Sequence, residues 1–310
     1  MNKSSSELPI IVLDSTKSCE ISAPVEIEGV VFTHEENLSF NNLQNYADED
    51  DFDDDYIEGK NYRDDDFASC LLVNSDAKLK NVAVLDSLTY GITLAKTKGT
   101  IEDSIISNCY DTCLFCVEKT EATVQETKIL NSECLGVDAS ETSNPCLKDC
   151  EIYGNGVAGM AISGRGTFEG CHIYDNTEGI RDFGRSTFEG CHIHDNGCEG
   201  IFVARGSTTY TNCHVYNNAQ ALVIYNCATP SFVGCKIYAN RSENYPGVLL
   251  EDSSNPSIKD CEIYGHLSNG IWVKDQAKGT YKNCYIHNNK DGNFSNETSN
   301  TIDTSTCKMG

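Results

Sequence analysis

Ten residues, TFEGCHIYDN (Thr167–Asn176), return twenty positions later as TFEGCHIHDN (Thr187–Asn196), identical at nine of the ten positions. A short fixed period constrains a fold strongly, because each copy adopts the same supersecondary unit and buries its apolar face against the next. Aligning on the cysteine extends the series to LKDCEIYGN at Cys150, YTNCHVYNN at Cys213, FVGCKIYAN at Cys235, IKDCEIYGH at Cys261 and YKNCYIHNN at Cys284. Between successive copies lies a second apolar unit: GMAI (Gly159–Ile162), GIFV (Gly200–Val203), ALVI (Ala221–Ile224), GVLL (Gly247–Leu250) and GIWV (Gly270–Val273). The cysteines are 20 to 26 residues apart. That is too short for paired helices and suits one coil of a parallel β-solenoid.

Less regular copies carry the pattern upstream through anchors at Thr127, Ser104 and Val82 to a degenerate one at Val30 in VEIEGVVFT, eleven anchors in all. At roughly 4.8 Å per stacked strand, eleven rungs make a rod on the order of 50 Å long. The sequence divides into an irregular N-terminal strand and cap (1–33), an acidic insertion (34–66), the repeats (67–292) and a polar C-terminal tail expected to form a loose cap (293–310). The insertion holds thirteen carboxylates against two basic residues, −11 of the chain's −24, and reads as a mobile loop. Its Asp51, Asp53 and Asp55 do not make an EF-hand, since Tyr56 and Tyr62 stand where Gly and Glu are required.

The charge of −24 argues against a nucleic-acid role and against docking on an anionic membrane, both of which need excess Lys and Arg on one face. No stretch reaches the roughly 18 apolar residues of a membrane span, and the first fifteen residues lack a signal-peptide core. The expectation is a cytoplasmic protein. The seventeen cysteines are odd in number, and most recur once per repeat, so they read as small buried thiols rather than a disulfide framework. Cys109, Cys113 and Cys116 have a spacing used for iron–sulfur clusters, but in register they fall in three different slots of the coil, with side chains expected to point different ways. No cofactor or metal is called for.

Period-two alternation orients the side chains. In TFEGCHIYDN, Phe168, Cys171 and Ile173 point inward, while Glu169, His172 and Tyr174 point out. Five residues after each cysteine stands Asn155, Asn176, Asn196, Asn218, Asn240 or Asn289, with His266 in that slot of one coil. Such a column lets each amide bond the next rung at a buried turn.

The copies TPSFVGCKIYAN, NPSIKDCEIYGH and GTYKNCYIHNN resemble the right-handed parallel β-helix family with PbH1-type repeats. Its coil reads approximately GIxV, a turn, then P-x-I-x-x-N/C-x-I-x-x-N. The likeness is strongest to the β-helix domain of carbohydrate-binding proteins and sugar hydrolases, also found in F-box-type substrate receptors; no F-box segment is present here, and Cys replaces the common Asn. The resemblance implies an all-β, single-domain right-handed parallel β-helix of about ten to eleven coils with one acidic loop insertion. For function it spans pectate lyases, polygalacturonases, uronate epimerases and non-catalytic scaffolds.

Family enzymes carry catalytic groups at the x of GIxV. Here that row includes Phe115, Asp138, Ala161, Arg181, Phe202, Leu249 and Trp272. Asp138 and Arg181, two rungs and so roughly 9–10 Å apart, could do acid–base work; Asp182 falls at an inward position or in a turn. A second exposed column includes Tyr174, His194 and Tyr216, and Arg165, Arg185 and Arg205 recur at a turn. The row's apolar content favours a non-catalytic scaffold that binds a protein partner through Phe115, Phe202, Leu249, Trp272, Tyr174, His194 and Tyr216. The alternative is a carbohydrate-active protein: a polysaccharide binder, lyase, glycosidase or uronate epimerase using Asp138, Arg181 and Asp182.

Overall fold

The computed structural model describes residues 9–13, 17–34, 69–300 and 302–310. The acidic insertion, with Asp51, Asp53 and Asp55, lies outside the described residues except for His34. That residue closes the strand Val31–His34 instead of opening the insertion, its ring buried and accepting a hydrogen bond from the Leu88 amide at 3.1 Å.

Among the described residues each complete coil contributes one strand to each of three parallel sheets, and partial turns at the ends leave sheet A with 13 strands, sheet B with 12 and sheet C with 11. In one coil these are Thr167–Glu169 in sheet C, His172–Tyr174 in sheet A and Glu178–Asp182 in sheet B. The next coil is in register with it: Phe168 pairs with Phe188, Ile173 with Ile193 and Ile180 with Ile201. The result is a parallel β-solenoid of about twelve turns, with no helix among the described residues. The count roughly matches the ten to eleven expected coils, with both ends adding rungs. Ile10–Leu13 pairs with Val31–His34, while Phe294–Asn296 and Lys308–Met309, in the polar tail, extend sheets B and A.

Inward positions fill one continuous core. The aromatic slot of sheet C stacks as Phe168, Phe188, Tyr210 and Phe232, with ring centroids 4.4, 5.0 and 4.7 Å apart. Each such side chain contributes roughly 1.5–3 kcal/mol by leaving water. The seven anchor cysteines from Cys150 to Cys284 are buried, and all seventeen in the chain are free thiols. Each anchor Sγ lies near main-chain carbonyls, as Cys191 does with Phe168 O at 3.4 Å. The residue before the anchor takes a left-handed backbone (Asp149 φ +49°, Gly170 +61°, Asn212 +52°), which explains the Gly, Asp and Asn found there.

Between sheets A and B the asparagine column forms as the spacing implies. Asn155 Nδ2 donates to Asn176 Oδ1 at 2.8 Å, Asn176 to Asn196 at 3.1 Å and Asn196 to Asn218 at 2.9 Å, each Oδ1 also accepting a main-chain amide. His266 breaks the column. Its ring lies 3.1 Å from Ile237 O, and Asn240 is left with both amide atoms buried and unpartnered. The adjoining corner requires glycine: a Cβ on Gly179 would meet Gly200 O at 2.3 Å.

Candidate functional site

The outer face of sheet B carries three columns, because the strands run past the four residues of the GIxV unit. The middle column is the x row. On one side of it stand Tyr90, Thr112, Leu135, Ala158, Glu178, Glu199 and Gln220; on the other are Phe183, Tyr225 and Lys274. Reading the x row alone misses both flanks. They follow from where the strands begin and end: EGIRD starts before the glycine with Glu178, and QALVIY runs past the last inward residue to the exposed Tyr225.

Asp138 is half-buried and pairs across the sheet with Phe115 on one rung and Ala161 on the other. Burial, with a smaller contribution from the Asp111 carboxylate, raises its carboxyl to about 7. Asp111 is itself raised by burial, against the hydrogen bonds from Thr112 (2.9 Å) and Tyr90 that lower it. One rung beyond Asp138 the x position carries only a methyl, Ala161, between Asp138 and Arg181. On the far side Arg181 is gripped by Glu178, with Nε and Nη2 each 2.6 Å from a carboxylate oxygen. Glu199, next to Glu178 in the column, is raised chiefly by burial. Its register neighbour Gln220 is 4% exposed, and Nε2 has no hydrogen-bond partner. Beside Arg181 an aromatic group forms, with Phe183 and Phe202 centroids 6.3 Å apart and Phe202 and Tyr225 6.5 Å apart.

The sequence-derived candidates do not converge on one place. Asp182 takes the inward of its two expected placements: it faces the solenoid interior, fully buried, and so lies across the sheet from Asp138 and Arg181, away from the alternative catalytic set it was grouped with. There it accepts hydrogen bonds from Thr208 Oγ1 (3.0 Å), Tyr210 OH (2.8 Å) and Gly184 N (3.0 Å), which is a structural role. The x row is also more covered than alternation implies. Leu249 is 7% exposed, Phe115 stacks on Tyr90 at 4.8 Å, and Lys274 Nζ sits 3.7 Å from the Trp272 ring centre. Outward side chains one strand apart shield one another, and long neighbours close over short ones.

Tyr174, His194 and Tyr216 belong to another face, sheet A. With Tyr153, Tyr238, Tyr264 and His287 they form one stack with centroids 4.7–5.2 Å apart. Their ring faces are occupied by each other. His172, His192 and His214 stack beside them at 4.8 Å. Cys109 and Cys113 occupy one buried corner, in contrast to the divergent directions expected, and Cys116 is inward on sheet B. Among the described residues no group of three or more His, Cys, Asp or Glu is placed to hold a metal ion.

No curated protein matches the sequence significantly. Among solved structures, the A-module of the Azotobacter vinelandii mannuronan C-5 epimerase AlgE6 superposes with a TM-score of 0.64 at 12% identity, covering 93% of this chain and 83% of that one. A mutant of the periplasmic alginate epimerase AlgG gives 0.56 at 13%, covering 97% and 73%, and the A. vinelandii AlgE4 A-module 0.52 at 14%, covering 97% and 78%. At such identities the likeness is one of fold. The sequence profile for the right handed beta helix region matches residues 90–229 and 220–310, most of the chain. With three parallel sheets wound coil upon coil over the same residues, the chain belongs to the right-handed β-helix family.

Proposed function

We propose that this chain is a carbohydrate-active β-helix protein that receives an extended polysaccharide on the outer face of sheet B. The observation that carries the reading is the register that puts the small Ala161 between Asp138 on one rung and Arg181, with Glu178 and Glu199, on the other side, next to Phe183, Phe202 and Tyr225. Aromatic faces and a few placed carboxylates are what a sugar needs: its C–H face packs on rings while its hydroxyls donate to oxygens. The structural neighbours named as epimerases of mannuronan and alginate support the same class. Asp138, with a carboxyl near 7, is the group best suited to hold or release a proton at neutral pH. A hydrolase pair directly across one rung is not formed, because Asp138 faces Phe115 and Ala161.

A bulky side chain at position 161 tests this. Ala161→Trp is expected to abolish polysaccharide binding in affinity electrophoresis while leaving the melting temperature within a few degrees, since the position faces outward. Unchanged binding in that variant rejects the site.

A second reading, a scaffold for a protein partner, is favoured by one observation: Trp272 has a buried Nε1 without a partner on the same face as Phe115 and Phe202. Under that reading Trp272→Ala weakens a co-purifying protein roughly thirtyfold, and Ala161→Trp changes no glycan binding.

A further inference from the structure

We infer that the polymer taken by this face is neutral, and that Glu199 and Gln220 form a subsite for sugar hydroxyl groups; the inference rests on the carbohydrate reading above. The charges on the face carry the first half. Asp111, Asp138, Glu178, Glu199 and Glu251 all stand on or beside it. The two cations in its columns are already committed: Arg181 makes a two-pronged ion pair with Glu178, and Lys274 lies over Trp272, 3.7 Å from Glu251 Oε1, while the exposed Arg165, Arg185 and Arg205 stand at the turn beyond the strand ends. A uronate chain would bring further carboxylates, at about one sugar per rung, onto a face with carboxylates in excess and a chain of net charge −24. A neutral chain meets no such repulsion, and its hydroxyls can donate to those same oxygens.

The second half rests on Gln220. It stands in the outward column beside Glu199, nine-tenths buried, with a donor that no protein atom accepts. A buried, unpaired amide N–H is costly, so its retention at this spot marks a place where something else accepts the bond. A sugar hydroxyl bridging the pair satisfies both residues: its proton goes to the Glu199 carboxylate, and its oxygen accepts from Gln220 Nε2. The partly buried setting that raises Glu199 strengthens such a bond.

The test is affinity electrophoresis of the full chain in gels containing a soluble β-glucan, xylan, galactomannan, alginate or polygalacturonate. Each polymer is run at matched salt with a calcium chelator. Retardation by at least one neutral polymer and by neither uronate is expected. Glu199→Gln should weaken that retardation roughly tenfold or more, and Gln220→Leu about three- to tenfold, with melting temperatures unchanged. Alginate or polygalacturonate bound as tightly as any neutral polymer overturns the neutral-chain inference and leaves the carbohydrate reading standing. Neutral binding undiminished in both variants overturns the subsite. No retardation by any of the five sinks the carbohydrate reading itself.

Discussion

Asp138 and Asp182 point to opposite sides of one sheet, and burial raises both carboxyls. Asp138 sits near 7 when folded against about 3.9 in an unfolded chain. The folded state therefore holds the proton longer. Its stabilising share is complete below about pH 4 and is lost as pH rises towards 7. The difference in unfolding free energy between wild type and Asp138→Asn, followed by urea titration from pH 4 to 8, should fall over that window. A change of about 1–2 kcal/mol is expected, less than the full shift implies because the carboxyl is partly solvated. Asp182→Ala should instead cost about 3 kcal/mol or more at pH 7, since it strands the Tyr210 and Thr208 hydroxyls and the Gly184 amide. Alternation along GIRD already put Asp182 inside. What the sequence could not show is that Thr208 and Tyr210, a coil away, turn a carboxylate at an apolar slot into a satisfied one.

Among the elements, the asparagine column lends itself to the sharpest comparison. Asn196→Ala removes an acceptor serving both the main chain and the side chain of Asn176, and a donor to Asn218, and should cost about 2–4 kcal/mol. Asn240→Ala should cost under about 1 kcal/mol, because its amide atoms have no partner to lose. Denaturant midpoints of the two variants, measured together, decide whether the column stabilises through its continuity. His266 adds a pH signature. Burial depresses it to about 4 against about 6.5 unfolded, so stability present above pH 6.5 is lost as pH falls towards 4. His266→Asn should remove that acid loss and restore the column through Asn240. The column was legible because one residue type recurs at one offset. The flanks of the sheet B face were not, because Glu178, Glu199 and Gln220 vary in type, and their shared direction shows only once the strand is known to begin before the glycine.

At the scale of the whole molecule, the stacking of identical coils makes burial uniform along the rod. The seven anchor thiols are all buried, while Cys198 and Cys227 are exposed. Brief alkylation of the native protein should modify Cys198 and Cys227 first and spare the anchors until denaturant is added; mass spectrometry of the peptides reads this directly. Early modification of Cys171 or Cys191 would place the anchors on the wrong side of the sheet. Reductant should leave the melting temperature unchanged, since no cystine contributes.

The coil lengths have one more consequence. Between Cys171 and Cys191 the chain spends 20 residues on a turn of the solenoid, and between Cys235 and Cys261 it spends 26, yet both advance the axis by the same single strand spacing. Contour and pitch are thus decoupled, and the molecule behaves as a ruler whose graduations stay fixed while the material between them varies. Residues can be added at a corner, as at 241–247 beside Gln220, to raise a wall without moving any mark. Adding a whole coil does the opposite. It would shift everything beyond it by one graduation, so a duplication falling between Asp138 and Arg181 would widen the distance between them by one strand spacing, and one elsewhere would leave it intact.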